Sequence, residues 1–200
     1  PNENILLIMP ASRAQELRYV LPSFLKTAKK LQQKYPNLIV YILSCRSVFD
    51  DKFSSALEKF EVKGKVVSQE EIEQLKTNIY SLSKIALCKS GTVNMELALY
   101  GVPQIVGYKV SKVTAFIAKK ILNFKVRFIS PVNLLVKKKI IPEFVQKDFK
   151  TENMYKKACQ IMDRKSEKLK ILAGYELLKK ELGEKGVVKR AAEEIIDSII

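Results

Sequence analysis

Three unbroken apolar runs of strand length, Ile5-Leu6-Leu7-Ile8-Met9, Leu38 to Leu43 and Ile85-Ala86-Leu87-Cys88, most narrow what this chain can become. None alternates with polar residues, so each is suited to a parallel strand buried on both faces. Each is followed by a helical pattern. Leu17, Val20, Leu21, Phe24, Leu25, Ala28 and Leu31 form one apolar stripe of a helix from about Glu16 to Lys34. Tyr35-Pro36-Asn37 stops it, and Pro22 is expected to bend it or to move its start. A helix from Phe49 to Phe60, a short strand Lys65-Val66-Val67 and a short helix Glu70 to Thr77 come next. A strand Gln104 to Tyr108, a helix Lys112 to Leu122 and a last strand Arg127 to Ser130 come after these. A turn-rich connection then runs from Pro131 through Ile141 to Gln146. Helices are expected over Thr151 to Asp163, Glu167 to Leu182 and Val187 to Ile199, with Gly183 and Gly186 between the last two. Strands and helices in this alternation predict an α/β fold, a Rossmann-like doubly wound parallel sheet with C-terminal helices.

The chemistry concentrates in Lys89-Ser90-Gly91-Thr92-Val93-Asn94-Met95-Glu96. It follows a buried strand and precedes Leu97-Ala98-Leu99-Tyr100 and the stop Gly101-Val102-Pro103. Small residues at such a junction let an anion approach N–H groups that have no partner inside the helix. Glu96 lies four residues after Thr92, on the same face and about 6 Å deeper. A carboxylate there suits sugar hydroxyls better than phosphate, so the pair reads as the footprint of a nucleoside diphosphate. An N-capped helix with one solvated glutamate fits this stretch equally well. The doubly wound class brings Ala11-Ser12-Arg13, Ser90-Gly91-Thr92 and the connection around Asn133 to one edge of the sheet, and that convergence favours a ligand site.

Composition removes several alternatives. Histidine is absent, which excludes Ser-His and Cys-His nucleophile pairs within this chain. Cys45, Cys88 and Cys159 are odd in number and show no CxxC spacing, as expected of reduced thiols in a cytoplasmic protein. No apolar run approaches the roughly 20 residues of a membrane helix. The net charge of +15 asks for an anionic partner. An anionic membrane surface or a phosphorylated substrate fits, whereas nucleic acid is not expected, since no aromatic-interleaved basic cluster is present. The chain opens Pro1-Asn2-Glu3-Asn4 directly before a strand, as expected of a piece cut from a longer protein.

At its motifs the chain resembles the lipid-A-disaccharide synthases, UDP-sugar-dependent glycosyltransferases of the GT-B architecture, over their C-terminal half. The family's Pro-Gly-Ser-Arg block with a following Glu appears as Pro10-Ala11-Ser12-Arg13 and Glu16. Its Ser-Gly-Thr, helix Glu and Pro-containing strand ending Gly-Tyr appear as Ser90-Gly91-Thr92, Glu96, Pro103 and Gly107-Tyr108. Its Pro-Asn-Leu-Leu and Pro-Glu-then-Gln appear as Val132-Asn133-Leu134-Leu135, Pro142-Glu143 and Gln146. The closing pattern is Leu182-Gly183, Gly186 and Arg190-Ala191-Ala192. Ala11 departs from the family's Gly, so a positive φ there would require a rearranged loop. Val132 departs from the family's Pro.

The resemblance implies transfer of 2,3-diacylglucosamine from UDP to 2,3-diacylglucosamine 1-phosphate (lipid X), without a metal or cofactor beyond the UDP-sugar donor, in the cytoplasm at the inner-membrane surface. It implies Arg13 on the donor diphosphate and Ser12 beside it. Ser90, Gly91 and Thr92 are expected at the phosphates, Glu96 at the ribose, Asn133 at the donor site, and Glu143 and Gln146 near sugar or uracil. Arg13 and Asn133 are the residues expected to act in catalysis. Residues 1–164 are expected to form the donor domain. Residues 165–200 are expected as helices packing on it, on an N-terminal half or on a second subunit of a homodimer. The general base is expected in the N-terminal half. Lys137-Lys138-Lys139 beside Ile140-Ile141 suits anionic headgroups or a solvated turn. The stripe Val113, Phe116, Ile117, Ile121 with Lys112, Lys119, Lys120 and Lys125 suits a membrane surface as well as core packing. Two other readings stand beside this one: a different GT-B enzyme of UDP-GlcNAc (a cell-wall transferase or a 2-epimerase), and a non-catalytic basic adaptor for membrane or RNA.

Overall fold

A computed structural model describes residues 4–111, 127–184 and 186–198. Six strands form one sheet: β1 (Asn4–Met9), β2 (Leu38–Leu43), β3 (Gly64–Val67), β4 (Ser83–Lys89), β5 (Gln104–Tyr108) and β6 (Glu143–Val145). Every pairing is parallel, in the order β3-β2-β1-β4-β5-β6. The central strands explain their own composition. Ile5 to Ile8 and Ile85 to Cys88 are at most 1% exposed, so neither face of β1 or β4 tolerates a polar residue.

The helices between them are α1 (Ala14–Lys34), α2 (Asp50–Lys59), α3 (Gln69–Leu82), α4 (Val93–Leu99), α5 (Pro131–Val136), α6 (Thr151–Asp163), α7 (Lys165–Leu182) and α8 (Val187–Asp197). From β1 the chain steps outward through β2 to β3. From β4 it steps the opposite way to β5. Crossovers of one hand therefore place α1 and α2 on one face of the sheet and α4 on the other. The predicted stripe of α1 is its buried face, and the helix runs through Pro22 from a start at Ala14, two residues before the expected one. α3 is a turn longer than expected at its C-terminal end. Ser68 and Glu71 close a capping box at its start, and Ile79 and Tyr80 are buried near its end.

Two expectations are corrected. Arg127 to Ser130 is not a strand: the Ser130 side chain accepts from Asn133 N–H and caps α5, with Pro131 in the first turn. The sixth strand lies instead in the stretch expected to be an irregular connection, where Glu143 to Val145 pairs with Val106 to Tyr108. The helix expected over Lys112 to Leu122 lies outside the described residues.

α7 is built into this unit. Ile171, Gly174, Tyr175 and Leu178 are buried, and Tyr175 Oη donates to the Val102 carbonyl at 2.9 Å. Among the described side chains of α8, Ile195 and Ile196 stand more than half exposed.

On the other side of the sheet, β5 needs a glycine. A Cβ on Gly107 would sit 2.2 Å from the Phe149 ring and 2.8 Å from Phe24, and those rings pack edge to face at 5.5 Å. Gly107→Ala is therefore expected to lower stability by about 1–3 kcal/mol. Urea denaturation checks this through a lower midpoint at an unchanged slope.

Candidate functional site

Between β1 and β4 the chain departs in opposite directions, and their carboxyl ends part to leave a cleft of about 310 Å³. Doubly wound sheets hold their ligands at such a switch point. One wall is Pro10-Ala11-Ser12-Arg13, carried from β1 into α1. The other is Lys89-Ser90-Gly91-Thr92, carried from β4 into α4. Five residues proposed from sequence, Ser12, Arg13, Ser90, Gly91 and Thr92, thus meet in one place. Ala11 has a negative φ, so alanine in place of the family's glycine creates no backbone strain.

Arg13 caps α1 through its backbone: its carbonyl accepts from Glu16 N–H and Leu17 N–H. Its exposed side chain is thereby placed at the mouth of the cleft, where a guanidinium suits a phosphate. Lys89 adds a second cation to the lining and pairs with Glu16 across the cleft at 2.8 Å. Both side chains are only about one-fifth exposed (20% and 19%), which makes the pair stronger than a surface one. Arg46 stands at the rim and donates to the Ser12 carbonyl. The linings of the two walls are tied together before any ligand arrives.

The Ser-Gly-Thr turn is held by a residue that motif matching passes over. Asn94 is fully buried. Its Oδ1 accepts from Gly91 N–H at 2.9 Å, and its Nδ2 donates to the Lys89 carbonyl and to Cys88 Sγ. The cap on this turn is therefore Asn94, and the Thr92 hydroxyl makes no capping bond. A sequence signal for it exists: a side-chain amide three residues after Gly91, at a helix start, is suited to bond backward to the main chain. Lys89 is legible in the same way, as the last residue of β4 at the carboxyl edge.

Glu96 does not line the cleft. Its Oε1 accepts from Lys76 Nζ of α3 at 2.5 Å, and this hydrogen bond raises the Lys76 ammonium above the usual lysine range. Glu96 stands one turn along α4 from the lining residues Thr92 and Val93. Burial pushes the Cys45 thiol up, the Glu96 charge adds to that shift, and the Lys76 charge opposes it.

The structure does not bring Asn133, Glu143 or Gln146 to the cleft. Asn133 is fully buried; its Nδ2 donates to the Ile141 carbonyl and Glu143 Oε1, and its Oδ1 accepts from Ile140 and Ile141 N–H. Glu143 accepts from Ile129 N–H, Ser130 N–H, Ser130 Oγ and Asn133 Nδ2. Gln146 Oε1 accepts from Val110 N–H. These polar atoms knot the connection between α5 and β6. Their link to the cleft is indirect: Ser90 Oγ donates to the Ile129 carbonyl held by that knot. Among the described residues no group of three or more acidic or thiol side chains is placed to hold a metal ion.

A family model described as lipid-A-disaccharide synthetase matches residues 1–197. The chain is 44% identical over 197 residues to the lipid-A-disaccharide synthase of Prochlorococcus marinus (strain MIT 9313), covering 98% of this chain and 50% of that protein. It is 34% identical over 199 residues to that of Gloeothece citriformis (strain PCC 7424), with 100% and 50% covered. The chain spans about half the length of these curated relatives. Among solved structures, the C-terminal CMP-Kdo binding domain of WaaA from Acinetobacter baumannii superposes with a TM-score of 0.57 at 11% identity, covering 92% of this chain and 91% of that one. WaaG, a glycosyltransferase involved in lipopolysaccharide biosynthesis, gives 0.54 at 13%, covering 92% and 44%. At such identities the likeness is one of fold, and the fold is that of a GT-B glycosyltransferase domain.

The internal bonding of Asn133 makes a measurable distinction. Asn133→Ala leaves the buried Ile141 N–H and the Ile141 carbonyl without partners, and is expected to cost about 3 kcal/mol. Arg13→Ala, at an exposed position, is expected to change stability by less than about 0.5 kcal/mol. Parallel urea titrations check the ranking, and the reverse order would argue that Asn133 is not part of the structural knot.

Proposed function

The chain belongs to the lipid-A-disaccharide synthetase family, and we propose that it is the donor-binding half of a lipid-A-disaccharide synthase. In this reading UDP-2,3-diacylglucosamine lies with its diphosphate in the switch-point cleft. The sugar is transferred to lipid X, giving a β-1,6-linked disaccharide and releasing UDP. The observation that carries the reading is the meeting of Arg13 and Ser90-Gly91-Thr92 on opposite walls of one cleft.

The chemistry follows from where charge develops. As the bond between the sugar's anomeric carbon and the β-phosphate oxygen breaks, negative charge grows on the departing UDP. The Arg13 guanidinium and the Lys89 ammonium are placed to stabilise it, together with the N–H groups that open α4. The cost of ordering these groups is already met, since Glu16 holds Lys89 and Asn94 holds the turn. Glu96 receives the ribose hydroxyls one turn below. The lipid X hydroxyl that attacks needs a general base, which this reading assigns to the portion of the relatives that the chain does not match.

Both substrates are diacylated, so the reading places the protein at the cytoplasmic surface of the inner membrane, with its net positive charge toward anionic lipid. Among the described residues no helix is long and apolar enough to cross a membrane. The exposed Ile195 and Ile196 of α8 are offered to the N-terminal half or to a second subunit of a homodimer.

Calorimetric titration with UDP, UMP and ADP tests the site. UDP is expected to bind in preference to both, and Arg13→Ala to weaken it about tenfold, as loss of a charge-assisted contact predicts. Equal affinity for UDP and ADP, or an Arg13→Ala chain that binds UDP unchanged, would overturn the assignment of the cleft.

A further inference from the structure

The ion pair between Lys76 and Glu96 is not explained by stability. Both side chains are about one-third exposed, and pairs in that setting add little to a fold. Its construction, however, is specific. Tyr80 of α3 and Tyr100 at the end of α4 pack edge to face with ring centroids 5.0 Å apart. Lys76 lies four residues before Tyr80, and Glu96 four residues before Tyr100. Residues four apart share a helix face one turn from each other. The aromatic contact therefore sets the register of the two helices, and the ammonium meets the carboxylate one turn above it.

Only one carboxylate oxygen is used. Lys76 Nζ donates to Oε1, and among the described residues Oε2 receives no hydrogen bond. An ionised carboxylate accepts at both oxygens, so Glu96 retains acceptor capacity at a carboxylate whose torsion the lysine restrains. Glu96 lies on the helix whose cap and first residue, Thr92 and Val93, line the cleft, one turn further along it, so the pair stands next to the cleft rather than on a remote surface.

We propose that Lys76 is a positioning residue for nucleotide recognition: it holds the Glu96 carboxylate oriented so that Oε2 accepts from the ribose hydroxyls of a uridine diphosphate. This rests on the reading of Glu96 given above. Lys76 touches the carboxylate and not the nucleotide, so its contribution passes entirely through the ribose hydroxyls. The role also gives a reason for the lysine on α3, an element that supplies none of the residues lining the cleft.

Titration of the 200-residue chain with UDP and with 2′,3′-dideoxy-UDP separates this role from a structural one. Lys76→Met is expected to weaken UDP about fivefold, the scale of a lost charge-assisted restraint, and to leave the dideoxy nucleotide unchanged. Lys76→Arg is expected to retain UDP binding, and Lys76→Met added to Glu96→Gln to have no further effect. Equal weakening of both nucleotides by Lys76→Met would overturn the proposal, because the lysine would then act on the phosphates or on the fold. If Glu96→Gln itself leaves UDP binding unchanged, the reading of Glu96 fails first and takes the proposal with it. A wild-type chain that binds neither nucleotide fails the assignment of the cleft and with it this role.

Discussion

The buried amide of Asn94 is the contact on which the carboxyl edge depends. It bonds at once to the turn after β4 and to the strand that precedes it, so the direction in which Gly91 and Thr92 face is fixed from inside the fold. A half-satisfied amide in such a place would be costly, and the structure completes the set. Cys88 Sγ receives one Asn94 N–H and approaches Gln104 Oε1, while Gln104 Nε2 donates to the Asn94 carbonyl and toward Tyr175 Oη. Burial pushes the Cys88 thiol far up, so it stays protonated and serves this network as a neutral group. One chain of polar contacts thus runs from the turn, through two strands, to α7.

The two cations that line the cleft are treated differently from each other. Lys89 is paired with Glu16, while Arg13 is left exposed at the mouth. A pre-formed pair keeps Lys89 from swinging into solvent, and an exposed guanidinium keeps net positive charge where an anion would enter. The Ser12 carbonyl, held by Arg46, belongs to the same arrangement. The site is organised around charge balance as much as around shape.

Much of this was legible in the residues, and the reasons for the rest are physical. β2 and β5 keep their expected bounds because continuous apolar runs in a parallel sheet leave little freedom. Arg13 and the Ser-Gly-Thr turn converge because strand order forces their loops together. β6 is hidden in the sequence because three residues, Glu143 to Val145, carry no periodicity; only pairing with β5 makes them a strand. Phe128 and Ile129 look like the core of a strand, yet Pro131 and the Ser130 cap commit the next residues to a helix. Asn133 and Glu143 show a different limit. Each stands in a family motif, and a motif alone does not reveal whether its polar atoms face a ligand or one another. Here they face one another.

The link between Gln104 and Tyr175 has a temporal side. Those residues are 71 positions apart, so a chain emerging from the ribosome would present β4, the turn and β5 well before α7 existed to close the network. Until then the Val102 carbonyl would lack the Tyr175 hydroxyl, and the Gln104 amide would have only its partners within β4 and α4. The network behind the cleft is thus completed only after α7 has been made. Such delayed, long-range closure is the kind of step at which a nascent chain is most open to rescue by chaperones or to loss by proteolysis. A helix 71 positions beyond Gln104 is therefore the one that finishes the network behind the cleft.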